Sequence, residues 1–234
     1  MRRALVIVSI CLAAALGACG DDDKDEGAQD TSATTQAAPE PTQAEPPAAN
    51  AGGCKQVDEP TSAQRKAKEP KDELDAGKTY SLTFATNCGD FTIELDQKSA
   101  PKTAASLVSL AEAKFYDGTA FHRIVPGFVI QGGDPTATGS GGPGYSTVDK
   151  PPADARYTKG VVAMAKTQQE PPGTSGSQFF VVVGADVGLP PEYAVVGKVS
   201  KGMDTVERIG QQGDPATEQP LQAVVIEKVT VKES

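Results

Sequence analysis

Tryptophan is absent from the 234 residues, aromatic side chains make up 5%, and there is a single histidine, His122. A core in this chain must therefore be built mainly from Val, Ile, Leu and Ala. One histidine leaves little room for a His/Cys metal cluster, so no metal or other cofactor is expected. A Ser-His-Asp or Cys-His nucleophilic site would have to use His122, and no Ser or Cys stands near it in sequence. A lone histidine of this kind is read as structural. Positive charge is also scarce, with 22 Lys+Arg against 31 Asp+Glu and a net charge of −9. That balance disfavours nucleic acid and anionic membrane surfaces as partners, because both need clustered cations. The acidity reads most simply as solubility.

Long hydrophobic runs are missing too. The longest, over residues 5–16, is too short to span a bilayer and follows Arg2 and Arg3. Positive residues, a short apolar core and small residues make residues 1–18 an export signal. Its end, Leu16-Gly17-Ala18-Cys19, is similar to the lipobox of bacterial lipoproteins. The resemblance implies that Cys19 becomes the first mature residue and carries a diacylglyceryl thioether. The chain would then be exported and lipid-anchored on the extracytoplasmic face of a bacterial membrane. An ordinary cleaved signal with an unrelated Cys is the alternative.

Residues 19–53 begin with an acidic run at Asp21-Asp22-Asp23 and continue in Ala, Thr, Gln, Pro and Glu. Such a stretch cannot bury enough apolar surface to offset chain entropy, so it reads as a disordered tether. Residues 54–78 read as an extended arm leading to a domain over 79–234. If Cys11 leaves with the signal and Cys19 is lipidated, Cys54 and Cys88 remain as an even pair in an oxidising compartment. A disulfide between them would pin the arm; unpaired thiols or pairing between molecules are the alternatives.

Within the domain, residues 80–85 and 91–95 alternate as strands about an Asn87-Cys88-Gly89-Asp90 turn. Ala104, Leu107, Val108, Ala111 and Phe115 recur at helical spacing, with Ser99 as the expected cap and Pro101 in the first turn. Strands are expected over 160–165, 177–183, 194–199 and 223–231, with a short helix around Met203, Val206 and Ile209. The Gly-rich stretch 139–144 lacks the Lys-Ser/Thr and the strand-to-helix context of a phosphate-binding loop.

The domain is organised around residues 121–134, Phe-His-Arg-Ile-Val-Pro-Gly-Phe-Val-Ile-Gln-Gly-Gly-Asp. They read as two short strands joined at Pro126-Gly127, and alternation puts Arg123, Val129 and Gln131 on one face. This stretch resembles the signature of the cyclophilin-type peptidyl-prolyl isomerases. Thr174-Ser175-Gly176-Ser177-Gln178-Phe179-Phe180 matches that family's second signature, and the resemblance spans roughly residues 79–232. It implies a mainly β fold, a closed eight-stranded antiparallel barrel capped by two α-helices. It also implies rotation about X–Pro bonds in proline-containing segments of exported polypeptides, by a monomeric enzyme. Arg123 is then the catalytic Arg and Gln131 the amide that orients it. Phe128, Val129, Phe180, Leu189 and Tyr193 line the proline pocket, and Ala165 and Gln178 lie on the groove floor. Gly188, Tyr193 and Lys166 depart from the Trp, His and Asn common in the family. Gly188 in particular should weaken cyclosporin-like ligands. Each residue has a plainer role open to it: Phe128, Phe180 and Leu189 as core, Arg123 in a surface ion pair. A module that holds proline peptides without turnover, or a chaperone on the same scaffold, is the competing function, and a surface lipoprotein with the barrel as spacer is a third.

Overall fold

The computed structural model describes residues 53–234. The export signal, Cys19 and all but the last residue of the tether lie outside the described residues. Among those described, no helix is long and apolar enough to cross a membrane, and no group of three His, Cys, Asp or Glu side chains could hold a metal ion.

Strands β1 (Tyr80–Thr86) and β2 (Gly89–Leu95) form the hairpin that their alternation predicts. Phe84 faces Phe91 across it, and their rings stack at 5.0 Å. Helix α1 (Pro101–Glu112) buries Ala104, Leu107, Val108, Leu110 and Ala111, the stripe read from sequence. Its cap is not Ser99. Ala100 holds that place with no side-chain bond, while the Ser99 N–H donates to Asp96 Oδ1 at 3.1 Å. The first-turn N–H of Thr103, buried and without an intrahelical acceptor, is met from 46 residues away, by Asp149 Oδ2 at 2.7 Å. A carboxylate suits the positive end of a helix dipole, wherever in the chain it comes from.

Short strands β3 (Thr119–Ala120), β4 (Arg123–Val125) and β5 (Val129–Gly132) follow. Then come β6 (Thr147–Val148), β7 (Val161–Met164), β8 (Thr174–Ser175) and β9 (Phe179–Val182). Strand β10 (Val195–Lys201), helix α2 (Met203–Gly210) and β11 (Val225–Glu233) complete the chain. Nine strands make one curled sheet in the order β3-β11-β1-β2-β10-β7-β9-β5-β4, and β6 pairs with β8 separately. This corrects the expectation of a closed eight-stranded barrel. The edges, β3 and β4, are successive in the chain with only Phe121 and His122 between them, and no ladder joins them. A single bridge from Ala120 to Asp134 spans the gap. Two-residue strands are too short to form the ladder that closure would need.

The curl puts most of the core inside. Successive side chains of a strand point to opposite faces, and β5, β7 and β9 carry buried apolar residues on both. Ile130, Phe179, Val181, Val162 and Met164 belong to the inner core. Their neighbours Val129, Phe180, Val182, Val161 and Ala163 form a second apolar cluster, which alternation assigns to the outer face.

The arm is tied down at its start. Cys54 and Cys88 form a disulfide, both buried, and Lys55 N–H donates to Asn87 O at 2.8 Å while Asn87 Nδ2 donates to Lys55 O at 2.7 Å. The bridge closes a loop of sequence separation 34, which removes entropy from the unfolded chain worth roughly 2–4 kcal/mol. A Cys54→Ala, Cys88→Ala double variant should therefore lose about that much stability in urea unfolding while keeping the native circular dichroism spectrum; an unchanged unfolding midpoint would contradict the role given to the bridge.

Candidate active site

The outer face of the sheet carries a row of register partners across four strands. Arg123 of β4 pairs with Gln131 of β5, Gln131 with Phe180 of β9, and Phe180 with Ala163 of β7. Directly paired residues share a face, so a guanidinium, a carboxamide and an aromatic ring are held side by side by backbone hydrogen bonds. The polar members are linked in turn. Arg123 Nη1 donates to Gln131 Oε1 at 3.5 Å, and Gln131 Nε2 donates to Gln178 Oε1 at 3.1 Å. Gln178 Nε2 donates to Gly139 O at 3.0 Å and Gly141 O at 2.9 Å. At the other end Arg123 Nε donates to Glu218 Oε2 at 2.7 Å.

Beside this row lies an apolar notch. Val129 and Phe180 are buried in the outer cluster, and Phe128, Ala165, Leu189 and Tyr193 pack against it half-buried. The rings of Phe180 and Tyr193 meet edge-on at 5.5 Å. Tyr193 is fixed from two directions. Tyr157 Oη donates to Tyr193 O at 2.7 Å and accepts from Tyr193 N–H at 3.0 Å. The Lys166 ammonium sits 5.5 Å from the Tyr193 ring centre. Its side chain is 2% exposed and its Nζ lies 3.0 Å from Glu192 Oε2. It also donates to Thr167 O and Glu170 O, each at 3.2 Å. A buried ammonium is tolerated only with such partners, and here they tie the 167–170 loop to the notch wall. Gly188, next to Leu189, is exposed, with nothing within 4 Å of where a Cβ would stand.

The loop that receives Gln178 is organised by Asp134, which is fully buried. Its Oδ1 accepts from Thr136 N–H at 2.7 Å and Thr136 Oγ1 at 2.8 Å. Its Oδ2 accepts from Thr138 N–H at 3.1 Å and Gly141 N–H at 3.0 Å. A Cβ on Gly141 would stand 2.0 Å from Asp134 Oδ1, so only glycine fits there. Burial works against the Asp134 charge, but the bonds from Thr136 and Gly141 outweigh it and hold the carboxyl below its usual range. His122 lies in the link between β3 and β4 rather than inside a strand. Burial lowers its pKa, Asp134 opposes the shift and Arg123 adds to it. Its Nδ1 is buried with no hydrogen-bond partner among the described residues.

The structure thus gathers Arg123, Gln131 and Gln178 in one polar row and Phe128, Val129, Ala165, Phe180, Leu189 and Tyr193 around the adjoining notch. Glu218 and Tyr157 were not anticipated. Glu218 lies 95 positions from Arg123 in an irregular segment, and nothing periodic marks it. Lys166 was singled out only as a departure from the family pattern.

Comparison with known proteins bears on this arrangement. The family profile described as cyclophilin type peptidyl-prolyl cis-trans isomerase/CLD matches residues 81–231. A peptidyl-prolyl cis-trans isomerase A of Mycobacterium tuberculosis is 39% identical, over 65% of this chain and 92% of its own length. A peptidyl-prolyl cis-trans isomerase B of Streptomyces anulatus is also 39% identical, over 64% and 95%. Among solved structures, a cyclophilin type isomerase of Cryptosporidium parvum, determined in the presence of the dipeptide Ala-Pro, matches with a TM-score of 0.60. It is 31% identical and covers 65% of this chain and 98% of its own. The chain belongs to the cyclophilin-type peptidyl-prolyl cis-trans isomerases.

Two of the shifted groups, His122 and Asp134, contribute to the acid response of the fold. For His122 the folded pKa lies below the unfolded 6.5, so the unfolded chain binds the extra proton first and stability falls as pH drops below about 6.5. For Asp134 the folded pKa lies below 3.8, so its contribution is full above that value and is lost as pH falls through the folded pKa. Urea midpoints measured from pH 7.5 to 3 should decline in both windows, and His122→Asn should flatten the upper one. A midpoint that rises on acidification through pH 6 would contradict the sign.

Proposed function

We propose that this isomerase acts on exported polypeptides from a head lipid-anchored through Cys19, and that Arg123 stabilises the twisted X–Pro amide. The observation that carries the mechanism is the division of the Arg123 donors. Nε donates to Glu218 and Nη1 to Gln131, which leaves Nη2 without a partner among the described residues, in the row that continues to Phe180 of the apolar cluster. What supports the extracytoplasmic setting is the Cys54–Cys88 disulfide, since such bridges persist in oxidising compartments. The lipobox-like Leu16-Gly17-Ala18-Cys19 points the same way.

The chemistry asks for no nucleophile. Amide resonance opposes rotation with a barrier of roughly 18–20 kcal/mol, and uncatalysed exchange takes tens of seconds or more. As the bond twists, the prolyl nitrogen loses conjugation and becomes a better hydrogen-bond acceptor. A donor aimed at that nitrogen is worth little in the planar states and much in the twisted one, which is the condition for lowering a barrier. Phe128, Phe180, Leu189 and Tyr193 hold the proline ring while the Gln131 amide keeps the guanidinium in register. Bound in this way, the ring stays fixed and the acyl side turns.

Two variants separate the parts of this mechanism. Arg123→Ala should lower kcat/KM on a short X-Pro peptide about 10²–10³-fold with the fold intact, as loss of one transition-state donor does; an unchanged rate would refute the role of Arg123. Glu218→Gln should act far more weakly. The Arg123 and Glu218 side chains are 34% and 46% exposed, and such pairs contribute about 0.2–1 kcal/mol. A kcat fall of roughly 1.4- to 5-fold at unchanged KM is therefore expected, and a loss as large as that of Arg123→Ala would show that Glu218 does more than orient.

A further inference from the structure

The loop after β5 makes a demand that Asp134 cannot meet. A carboxylate accepts but does not donate, so Asp134 satisfies the N–H groups of Thr136, Thr138 and Gly141 and none of the loop carbonyls. Residues 135–146 lie in no helix and no strand, and Ala137, Thr138, Gly139 and Ser140 are exposed. Carbonyls in such a stretch bond to water or to a donor from elsewhere in the fold. Gln178 supplies donors to Gly139 and Gly141. The arm supplies the others. Ser62 Oγ donates to Thr136 O at 2.8 Å, and Ala63 N–H to Pro135 O at 3.0 Å. Ala67 N–H donates to Pro143 O at 2.9 Å. These contacts stand at the two feet of the loop and bracket the glycines that receive Gln178.

The arm is itself fixed before, within and after this stretch. Cys54 is bonded to Cys88. Arg65 Nη1 donates to Phe115 O at 2.6 Å and to Asp117 O at 2.8 Å. Ala67 and Leu74 pack half-buried against the inner core. We propose that residues 62–67 are a positioning strap for the isomerase: Ser62 and the Ala63 and Ala67 amides hold the glycine-rich loop so that Gln178 keeps Gln131 and Arg123 in the orientation the twisted amide needs. Ser62 is thus a positioning residue that acts on the chemistry through Gln178. A loop released from the arm opens locally, and its carbonyls then no longer fix the Gln178 amide. The share of molecules with the row in register falls, and kcat falls with it. The inference rests on the Arg123 mechanism above and adds to it a support from outside residues 81–231, the part of the chain that matches the family profile.

The test uses the full-length protein. Ser62→Ala combined with Ala67→Pro removes one hydroxyl donor and one amide donor, at sites where the arm has neither helix nor strand. On a short X-Pro peptide kcat should fall about 3- to 10-fold at unchanged KM, the effect of one net hydrogen bond. Ser62→Ala alone, which leaves the backbone donors in place, should lose about 2-fold or more, and Ser62→Thr, which keeps the hydroxyl, should retain kcat. Amide hydrogen exchange at Gly141 should quicken in step with the loss of kcat. Added to Gln178→Leu, the arm substitutions should lower kcat no further, because the path through that amide is already cut. A merely structural arm would move the urea midpoint and leave kcat unchanged. That result, or losses that add in the combined variant, overturns the proposal while the loss in Arg123→Ala still stands. An unchanged rate in Arg123→Ala overturns the mechanism on which the proposal rests.

Discussion

The carboxylate of Asp134, buried among four hydrogen-bond donors, is the interaction on which the arrangement of the polar row depends. A buried charge is costly unless its lone pairs are filled, and here only the folded 136–141 turn can fill them. Once that turn is set, the carbonyls of Gly139 and Gly141 are set with it, and they take both donors of Gln178. Gln178 can then offer only its oxygen to Gln131, and Gln131 only its oxygen to Arg123. The orientation of each amide follows from the one before it. The far end of the row, the Arg123–Glu218 pair, is half exposed and contributes correspondingly less. The buried end decides the geometry and the exposed end trims it.

Rigidity on the substrate side comes from a second constraint. Strands β5, β7 and β9 carry buried apolar residues on both faces: one parity fills the inner core and the other supports the notch. A shift of one residue in register would exchange the two sets, which would put Gln131 into the core and Ile130 into the notch. Register is thus specified twice over, and the row Arg123–Gln131–Phe180–Ala163 inherits that precision. Catalysis by differential stabilisation needs such stiffness, because a guanidinium free to follow the substrate would stabilise planar and twisted states alike.

How much of this was legible in the sequence varies with range. The hairpin, both helices and the β4–β5 turn are local, and alternation or helical spacing marks each of them. The two signature stretches gathered Arg123, Gln131, Gln178 and Phe180 before any coordinates. What escaped was non-local or too short to have a period. Strands β3, β6 and β8 are two residues each, so the strand count and the open seam had no signal. Ser99 looked like a cap because propensity is read locally, yet Asp149 supplies the bond from across the fold. Glu218 and Tyr157 reach the site through tertiary packing alone, and no local pattern in the sequence marks either of them.

The arm shows how a family domain acquires something of its own. Residues 54–78 precede the shared region and could have been a passive leader, but their hydrogen bonds run to Pro135, Thr136 and Pro143. Those residues belong to the same glycine-rich loop whose carbonyls hold Gln178. Asp134 fixes the loop from inside and the arm braces it from outside, with the disulfide to the β1–β2 turn anchoring the arm in turn. A surface loop rich in glycine has much conformational freedom to lose on ordering, and the two supports remove it from opposite sides. The polar row is therefore ordered before substrate arrives, and binding need not supply that ordering. In the proposed mechanism this matters more than any single contact. The donor on Arg123 does its work only in the short-lived twisted state, so it must already be in place when that state forms.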